Sequence, residues 1–499
     1  TPIAPQPNTE TDAQTVLLEI RTKHLSTDSQ TLLNLFTHDD PFLTHAAVQQ
    51  LAKPVFWKPL IQACRDTTAS IRLGALLALR QAHHPDAANL VRTFLADSNQ
   101  IIRMTALRWA VELRDPQLRP ALDDAIVSPK VSSRLLETYL AAKSGLSPAV
   151  LTALNTRQPS SAFDIPFPAS SKPLHSIIAS AATNDHLRAM ALMQIGNTQD
   201  QTLVDLLSEL SQKMNPMIQM AAIQGLGQLG STQERPVTIL KSIATNRSYD
   251  VQVRAEAIAM WTRLKPAETE WVLPLLDDPK AAVRLEAARA LKLAGQLEPT
   301  LSSLKTHYLK IHDNPRESAV AEQLEFILYG PHAEDKPFAS ERPKTLKEWQ
   351  ENLELGGDVL AGRRLFYSTG LLCAQCHTPG AYKNSLGPSL ENLGQSVERP
   401  RIIQSLIEPS TNISPAYQAW RITTKDGVTE QGVQLEWMLD ESLKYIDFEG
   451  HEIIVSPTNI ASYAPIKHSI MPHGLQELMT VSEMRALVSF LESLGGDID

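Results

Sequence analysis

A repeat constrains this chain more than any other feature. Ile71-Arg72, Ile102-Arg103 and Arg134 follow one another at intervals of 31 residues, Leu187-Arg188 and Ile218-Gln219 again at 31, and Val253-Arg254 and Val283-Arg284 at 30. Alanine-rich helical faces follow most of these arginines, as over 254–259 and 284–291. Self-similarity at this period is the mark of stacked helical hairpins. A single hairpin cannot bury its own apolar stripe, whereas small alanines let neighbouring hairpins approach and share one continuous core. Residues 14–330 therefore read as helix after helix with almost no strand signal, behind a Pro- and Thr-rich tail over 1–13. The repeat breaks after Leu154, and the Pro/Ser-rich stretch from Pro159 to Pro173 reads as an irregular loop between two solenoid halves.

The unit has an Asp/Pro turn such as Asp278-Pro279, a branched aliphatic followed by Arg, and then alanines; it resembles the HEAT repeat. Ser133, not a branched aliphatic, precedes Arg134, and the region around His45 departs from the pattern. Met190, Met193, Met214, Met217 and Met220 recur at helical spacing and are read as core filling rather than a soft-metal surface. His83-His84, before Pro85, are read as solvated polar residues of a turn.

A second feature carries chemistry. Cys373-Ala374-Gln375-Cys376-His377 is the CxxCH pattern of covalent c-type haem attachment, in which two thiols become thioethers and the imidazole ligates iron. A zinc knuckle would want a second ligand pair, and a redox dithiol a βαβ setting; the remaining cysteine, Cys64, lies far away and is read as a small buried hydrophobe. Haem attachment to this pattern implies an extracytoplasmic, periplasmic protein from which an export signal or an upstream domain has been removed. No apolar run approaches the roughly 20 residues of a membrane span.

Charge is unevenly placed. The chain carries a net −9, and all of it falls on 346–499, where 11 Lys/Arg face 20 Asp/Glu. No basic stripe suits nucleic acid, while an acidic surface could steer a basic redox partner. The polar, Pro-punctuated segment 331–345 reads as a linker crossed by few contacts, with the haem domain after it.

Within 346–499 the remaining parts of a haem site can be assigned. The helix from Gly357 to Tyr367 carries Gly362 and Phe366, and the last helix, Val481 to Leu494, carries Leu487 and Phe490; glycine on one lets an aromatic of the other pack closely. Thr480 with Glu483 is a capping box, and Gly495-Gly496 ends that helix. In Leu386-Gly387-Pro388, the Pro388 carbonyl can accept the Nδ1 hydrogen of His377 and orient the ring. In Ser469-Ile470-Met471-Pro472-His473, Met471 is the candidate distal ligand, with His468 and His473 as rivals. Between His377 and Met471, strands are expected over Tyr417–Thr424 and Val428–Leu435 around Lys425-Asp426-Gly427, and over Lys444–Phe448 and Glu452–Val455. This is a small β insertion of about 414–466.

Taken together, Gly362 and Phe366, CxxCH, Gly387-Pro388 with Leu390, Glu408-Pro409-Ser410, Tyr417 before the Lys425-Asp426-Gly427 turn, and Ser469-Ile470-Met471-Pro472 resemble the C-terminal haem-binding domain of large dehydrogenase-like proteins of Planctomycetes and Verrucomicrobia. In those proteins HEAT-like repeats often precede the haem domain, and a β-propeller similar to sugar dehydrogenases precedes the repeats. No propeller is read in this sequence. The resemblance implies that electrons arrive from a dehydrogenase on the original polypeptide or on a partner.

The expected fold is mainly α: a HEAT-like α-solenoid followed by a cytochrome c-like all-α haem domain with a small β insertion. The expected function is electron transfer through one covalent haem c, an electron-transfer module rather than a complete enzyme, with the solenoid as docking scaffold. Cys373 and Cys376 would anchor the haem, His377 and Met471 would ligate its iron, and Pro388 would support His377. The alternatives are a peroxidase-like or gas-binding haem site, or an interaction scaffold with a secondary haem.

Overall fold

A computed structural model describes residues 28–126, 131–146, 172–180, 183–193, 201–212, 215–230, 233–266, 268, 270–293, 298–332, 342–377, 386–390, 392–438, 440–448 and 451–495. The expected N-terminal tail, most of the expected Pro159–Pro173 loop and most of the 331–345 linker lie outside these residues; Lys172 and Pro173 belong instead to the helix Lys172–Ala179. The chain is mainly helical, with one small antiparallel sheet near its C-terminus. It forms two compact units, one from the described residues within Thr1–Leu151 and Ser171–Thr183, the other from those within Asn184–Asp499.

In the first unit the repeat signature falls in the first turn of successive helices: Ile71-Arg72 in Ala69–Gln81, Ile102-Arg103 in Gln100–Leu113, and Arg134 in Ser133–Gly145. Ile71 and Ile102 are buried, as are Ala75, Ala78, Ala106 and Ala110. The arginine has a structural task. Arg72 forks onto Asp97 at 2.7 and 2.9 Å and also donates to the Asp66 carbonyl at 2.8 Å, so one side chain ties a helix to turns on both sides of it. Asn99, two residues past Asp97, caps the next helix through the Ile101 N–H.

The second unit repeats the device. Arg254, in Val251–Leu264, is 2% exposed; it reaches Asp278 at 2.7 and 3.2 Å and the Ala244 carbonyl at 3.0 Å. Arg284, in Ala281–Leu293, pairs likewise with Glu317. Alanines 255, 257, 287, 288 and 290 are buried, which is the close helix approach the sequence calls for.

Two expectations for the repeats need correction. His84 is buried, not solvated: its ring stands edge-on to Trp57 at 4.5 Å, and its Nδ1 accepts the Asp86 N–H. An aromatic face and one satisfied nitrogen suffice to bury a neutral imidazole. The described methionines do not fill the core: Met217 is exposed and Met190 and Met220 are half-buried; the side chain of Met193 and all of Met214 lie outside the described set. Their spacing follows the helix, but buried Ile218, Ala221 and Ala222 take the inward face. Cys64 is buried as expected, and burial pushes its thiol up to about 11.

The C-terminal part of the second unit is built on two crossed helices, Val359–Phe366 and Val481–Ser493. A Cβ on Gly362 would sit 1.9 Å from the Ala486 carbonyl oxygen and 2.9 Å from the Phe490 Cβ, so glycine is required for the contact. The Phe366 and Phe490 rings lie 5.5 Å apart, as the helix spacing anticipates. Both arms of the capping box form: Glu483 N–H donates to the Thr480 hydroxyl at 3.0 Å, and Thr480 N–H to the Glu483 carboxylate at 2.9 Å. Around this crossing Trp349, Leu353, Leu365, Ile402, Leu406, Met484 and Leu487 make one core.

The sheet comprises β1 Trp420–Thr424, β2 Thr429–Trp437, β3 Leu443–Asp447, β4 Glu452–Val455 and β5 Ile460–Pro465, in the order β4-β3-β2-β1-β5. Four strands match the expected insertion, with Gly427 at φ +88° turning β1 into β2. Tyr417 lies instead in a 3-10 turn over Pro415–Tyr417. Strand β5 was not anticipated. It is an edge strand whose residues after Ile460 are all exposed, held by backbone pairing with β1, so its sequence needs no alternation. The sheet carries two separate cores, Ile422, Leu443, Tyr445 and Val455 in one, Ala419, Val433 and Ile446 in the other. A register shift between Val433 and Glu436, with Gln434 at φ +55°, lets β2 serve both.

The boundary near 331–345 is not a seam of few contacts. Arg364 Nε lies 2.7 Å from Glu286, Arg363 lies 3.1 Å from Glu256, and Arg289 joins Glu286 at 2.6 Å to Glu483 at 3.0 Å. Glu322 accepts the Val481 N–H at 2.6 Å, capping the last helix from across the boundary. Arg342, in the expected linker itself, donates to the carbonyls of Gln476 and Met479. Complementary charges on facing helices join the last repeats to the C-terminal helices, a relation between residues up to 194 positions apart that no local pattern displays.

Candidate functional site

The CxxCH segment folds as a one-turn helix, Cys373–Cys376. Leu372, at φ +59°, turns the chain into it, and the Gln375 N–H closes on the Leu372 carbonyl at 3.0 Å. His377 follows, its N–H donating to the Cys373 carbonyl at 2.9 Å. The chain then returns: Gly387 N–H donates to the Cys376 carbonyl at 3.0 Å, which places the Gly387-Pro388 peptide beside the histidine ring. His377 Nδ1 lies 3.0 Å from the Pro388 oxygen. A carbonyl can only accept, so Nδ1 bears the hydrogen and Nε2 keeps its lone pair. A Cβ on Gly387 would stand 2.6 Å from His377 Cε1, so the ring lies flat against bare backbone.

Electrostatics favour the neutral forms. Burial pushes the Cys373 thiol up to about 11 and raises that of Cys376. Burial also lowers the His377 imidazole, partly offset by its bond to Pro388. No disulfide joins the three cysteines, and Cys373 and Cys376 are half-buried.

Met471 is half-buried and packs on the same core as Cys373, Ala374 and Leu390, with Phe366, Leu406 and Phe490 among its buried members. Its loop is fixed by polar contacts. Met471 N–H donates to the Ser469 hydroxyl at 3.1 Å, and Ser469 N–H to the Ser410 hydroxyl at 3.0 Å. Ser410 Oγ also lies 2.7 Å from His473 Nε2. His468 and His473 are exposed and their rings are 6.1 Å apart. The structure thus gathers Cys373, Cys376, His377 and Pro388 into one cluster and sets Met471 on the core that Cys373 shares.

Sequence reasoning missed two parts of this neighbourhood. Cys376 packs with Leu386, Ile470 and Ile466 against Ala419, Val433 and Ile446, so the sheet forms a wall beside the motif. Ser410 was visible only as one member of a resemblance; its bond to Ser469 spans 59 residues and has no local signal. The cluster offers two thiols, an imidazole nitrogen with a free lone pair, and a thioether on a shared apolar core.

The HEAT-repeat family model matches residues 57–141 and 171–260. The chain carries HEAT repeats. They occupy both units, and their matched helices include those bearing Arg72, Arg103 and Arg254. Among solved structures, the Escherichia coli YibA protein is 16% identical over 60% of this chain and 97% of its own, with a TM-score of 0.29. An engineered protein is 14% identical over 69% of this chain and 95% of its own, TM-score 0.28. Human deoxyhypusine hydroxylase, in complex with glycerol, is 19% identical over 53% of this chain and 95% of its own, TM-score 0.21. No curated protein matches the chain. Among the described residues, no helix is long and apolar enough to cross a membrane.

Proposed function

We propose that residues 346–499 are a cytochrome c-like domain with a β insertion, that it serves one-electron transfer, and that the HEAT repeats are its docking scaffold. The observation that carries the reading is the contact of His377 Nδ1 with the Pro388 oxygen at 3.0 Å, directly after the two cysteines. The residues fit a covalent c-type haem. Bare backbone at Gly387 receives the ring, Nε2 is left with its lone pair, and two thiols stand one helical turn apart. When bound, the haem supplies a single-electron couple at iron.

The chain's own residues would do the rest. Cys373 and Cys376 would hold the haem covalently, and His377 and Met471 its iron. The Pro388 carbonyl fixes the tautomer and orientation of His377 and raises its basicity. The apolar core shared by Cys373 and Met471, and the sheet residues beside Cys376, would give the haem an apolar surface to pack against. A haem iron held by both His377 and Met471 would supply a one-electron couple of raised potential rather than bind dioxygen or peroxide, which favours electron transfer over a peroxidase-like or gas-binding role.

The net charge of −9 over 346–499 suits a basic redox partner, such as a dehydrogenase module. Such a protein works outside the cytoplasm, in the periplasm, where this haem attachment takes place. HEAT repeats also support a second reading, in which partner binding is the main task of the chain.

Absorption spectra of the oxidised and reduced protein, with Met471→Ala alongside, test the proposal. A covalently retained haem and a weak far-red band in the oxidised wild type that vanishes in Met471→Ala are expected. Rapid carbon monoxide binding without that band would replace electron transfer with gas-binding or peroxidatic chemistry. A haem-free protein after expression with a c-type maturation system would leave only the scaffold reading.

A further inference from the structure

Met471 is flanked by two histidines, each able to compete for the same iron, and nothing in its own side chain decides the contest. Ser410 sits where the decision can be made. Its hydroxyl accepts the Ser469 N–H at 3.0 Å, and the Ser469 hydroxyl in turn accepts the Met471 N–H at 3.1 Å. The Ser410 hydroxyl also shares a hydrogen bond of 2.7 Å with His473 Nε2. Ser410 follows Pro409 just beyond the helix Arg399–Ile407, whose Ile402, Ile403 and Leu406 belong to the core that Met471 packs against. The serine is therefore an anchored point, and the 469–473 loop is tied to it at both ends.

We propose that Ser410 is a positioning residue that selects Met471 over His473 as the iron ligand. It acts in two ways through one hydroxyl. Accepting from Ser469 fixes the start of the loop and, through the Ser469 hydroxyl, the Met471 backbone. The hydrogen bond with His473 Nε2 occupies that nitrogen and holds the ring at the surface, where His473 is exposed. Neither contact requires the serine to touch the haem. The inference rests on the proposed role of Met471.

The test compares oxidised spectra and midpoint potentials of haem-loaded wild type, Ser410→Ala, Ser410→Thr and Ser410→Ala/His473→Gln. Loss of hydrogen bonds at this point shifts a ligand equilibrium on the order of tenfold. Ser410→Ala should lose most of the far-red band and fall in potential, Ser410→Thr should keep both, and the double variant should regain the band because His473, the rival that Ser410 holds, is gone; a band still lost in the double variant would overturn selection against His473. General loosening of the fold predicts no such recovery. Should Ser410→Ala fail to accumulate, Ser469→Ala cuts the same chain of bonds one step nearer Met471 and should weaken the band in the same direction. A wild-type band and potential in Ser410→Ala would overturn the selection role while leaving the Met471 reading intact. A wild type with no far-red band, unchanged by Met471→Ala, would overturn the reading of Met471 itself, and the selection role with it.

Discussion

At the scale of single residues, absence of a side chain does as much as presence. Gly362 admits the last helix: with a Cβ only 1.9 Å from the Ala486 oxygen, backbone and not a movable side chain would be struck. Gly362→Ala should therefore cost about 2 kcal/mol or more, as overpacking at an unyielding contact does, measured as a lowered urea midpoint with unchanged slope. Gly387 plays the corresponding part for the His377 ring. Both glycines were legible, one as a helix-packing position and the other beside a proline. That Gly387 meets the ring itself, and that Ser410 meets His473, depends on the course of the chain between them.

At the scale of elements, the repeat arginine gives the period a physical task. Arg254 and Asp278 form a buried fork joining consecutive repeat elements, and Arg72 with Asp97 does the same earlier in the chain. Burial by itself would raise the Asp278 carboxyl, but the bonds from Arg254 and the Lys280 N–H outweigh it and hold it below 3.8. A carboxylate depressed on folding adds stability above its unfolded value, and that contribution is lost as pH falls below 3.8 and through the folded value. Asp278→Asn should therefore flatten the acid limb of stability against pH below about 4, followed by urea denaturation at a series of pH values. Arg254→Ala, which strands a buried carboxylate, should cost roughly 3 to 5 kcal/mol at neutral pH. The arginine spacing was plain in the sequence. Its partner was not, because the carboxylate lies 24 residues on in Asp278 but 33 on in Glu317.

At the scale of the whole molecule, the C-terminal region is continuous with the repeats that precede it. Arg364 is 4% exposed and, with Arg289, shares Glu286, while Arg289 goes on to Glu483 at the start of the last helix. Arg364→Ala should destabilise by about 3 kcal/mol. In hydrogen exchange it should also lower amide protection in the repeat helix Ala281–Leu293 as well as in Val359–Phe366. Protection unchanged in the repeat helix would mean that the two regions open independently.

The sequence by itself determined the repeat period, the helical character, the first four strands, the capping box and the cysteine-histidine motif. Each of these is written locally, in periodicity, turn residues or short spacing, where helix geometry and strand alternation act directly on neighbouring residues. Tertiary structure alone decided which carboxylate each arginine meets, that β5 joins the sheet edge, that His84 is buried against Trp57, and that the last repeats grip the C-terminal helices. Those outcomes turn on close approach between segments distant in the chain, and an exposed edge strand or a lone charge carries no pattern that names its partner.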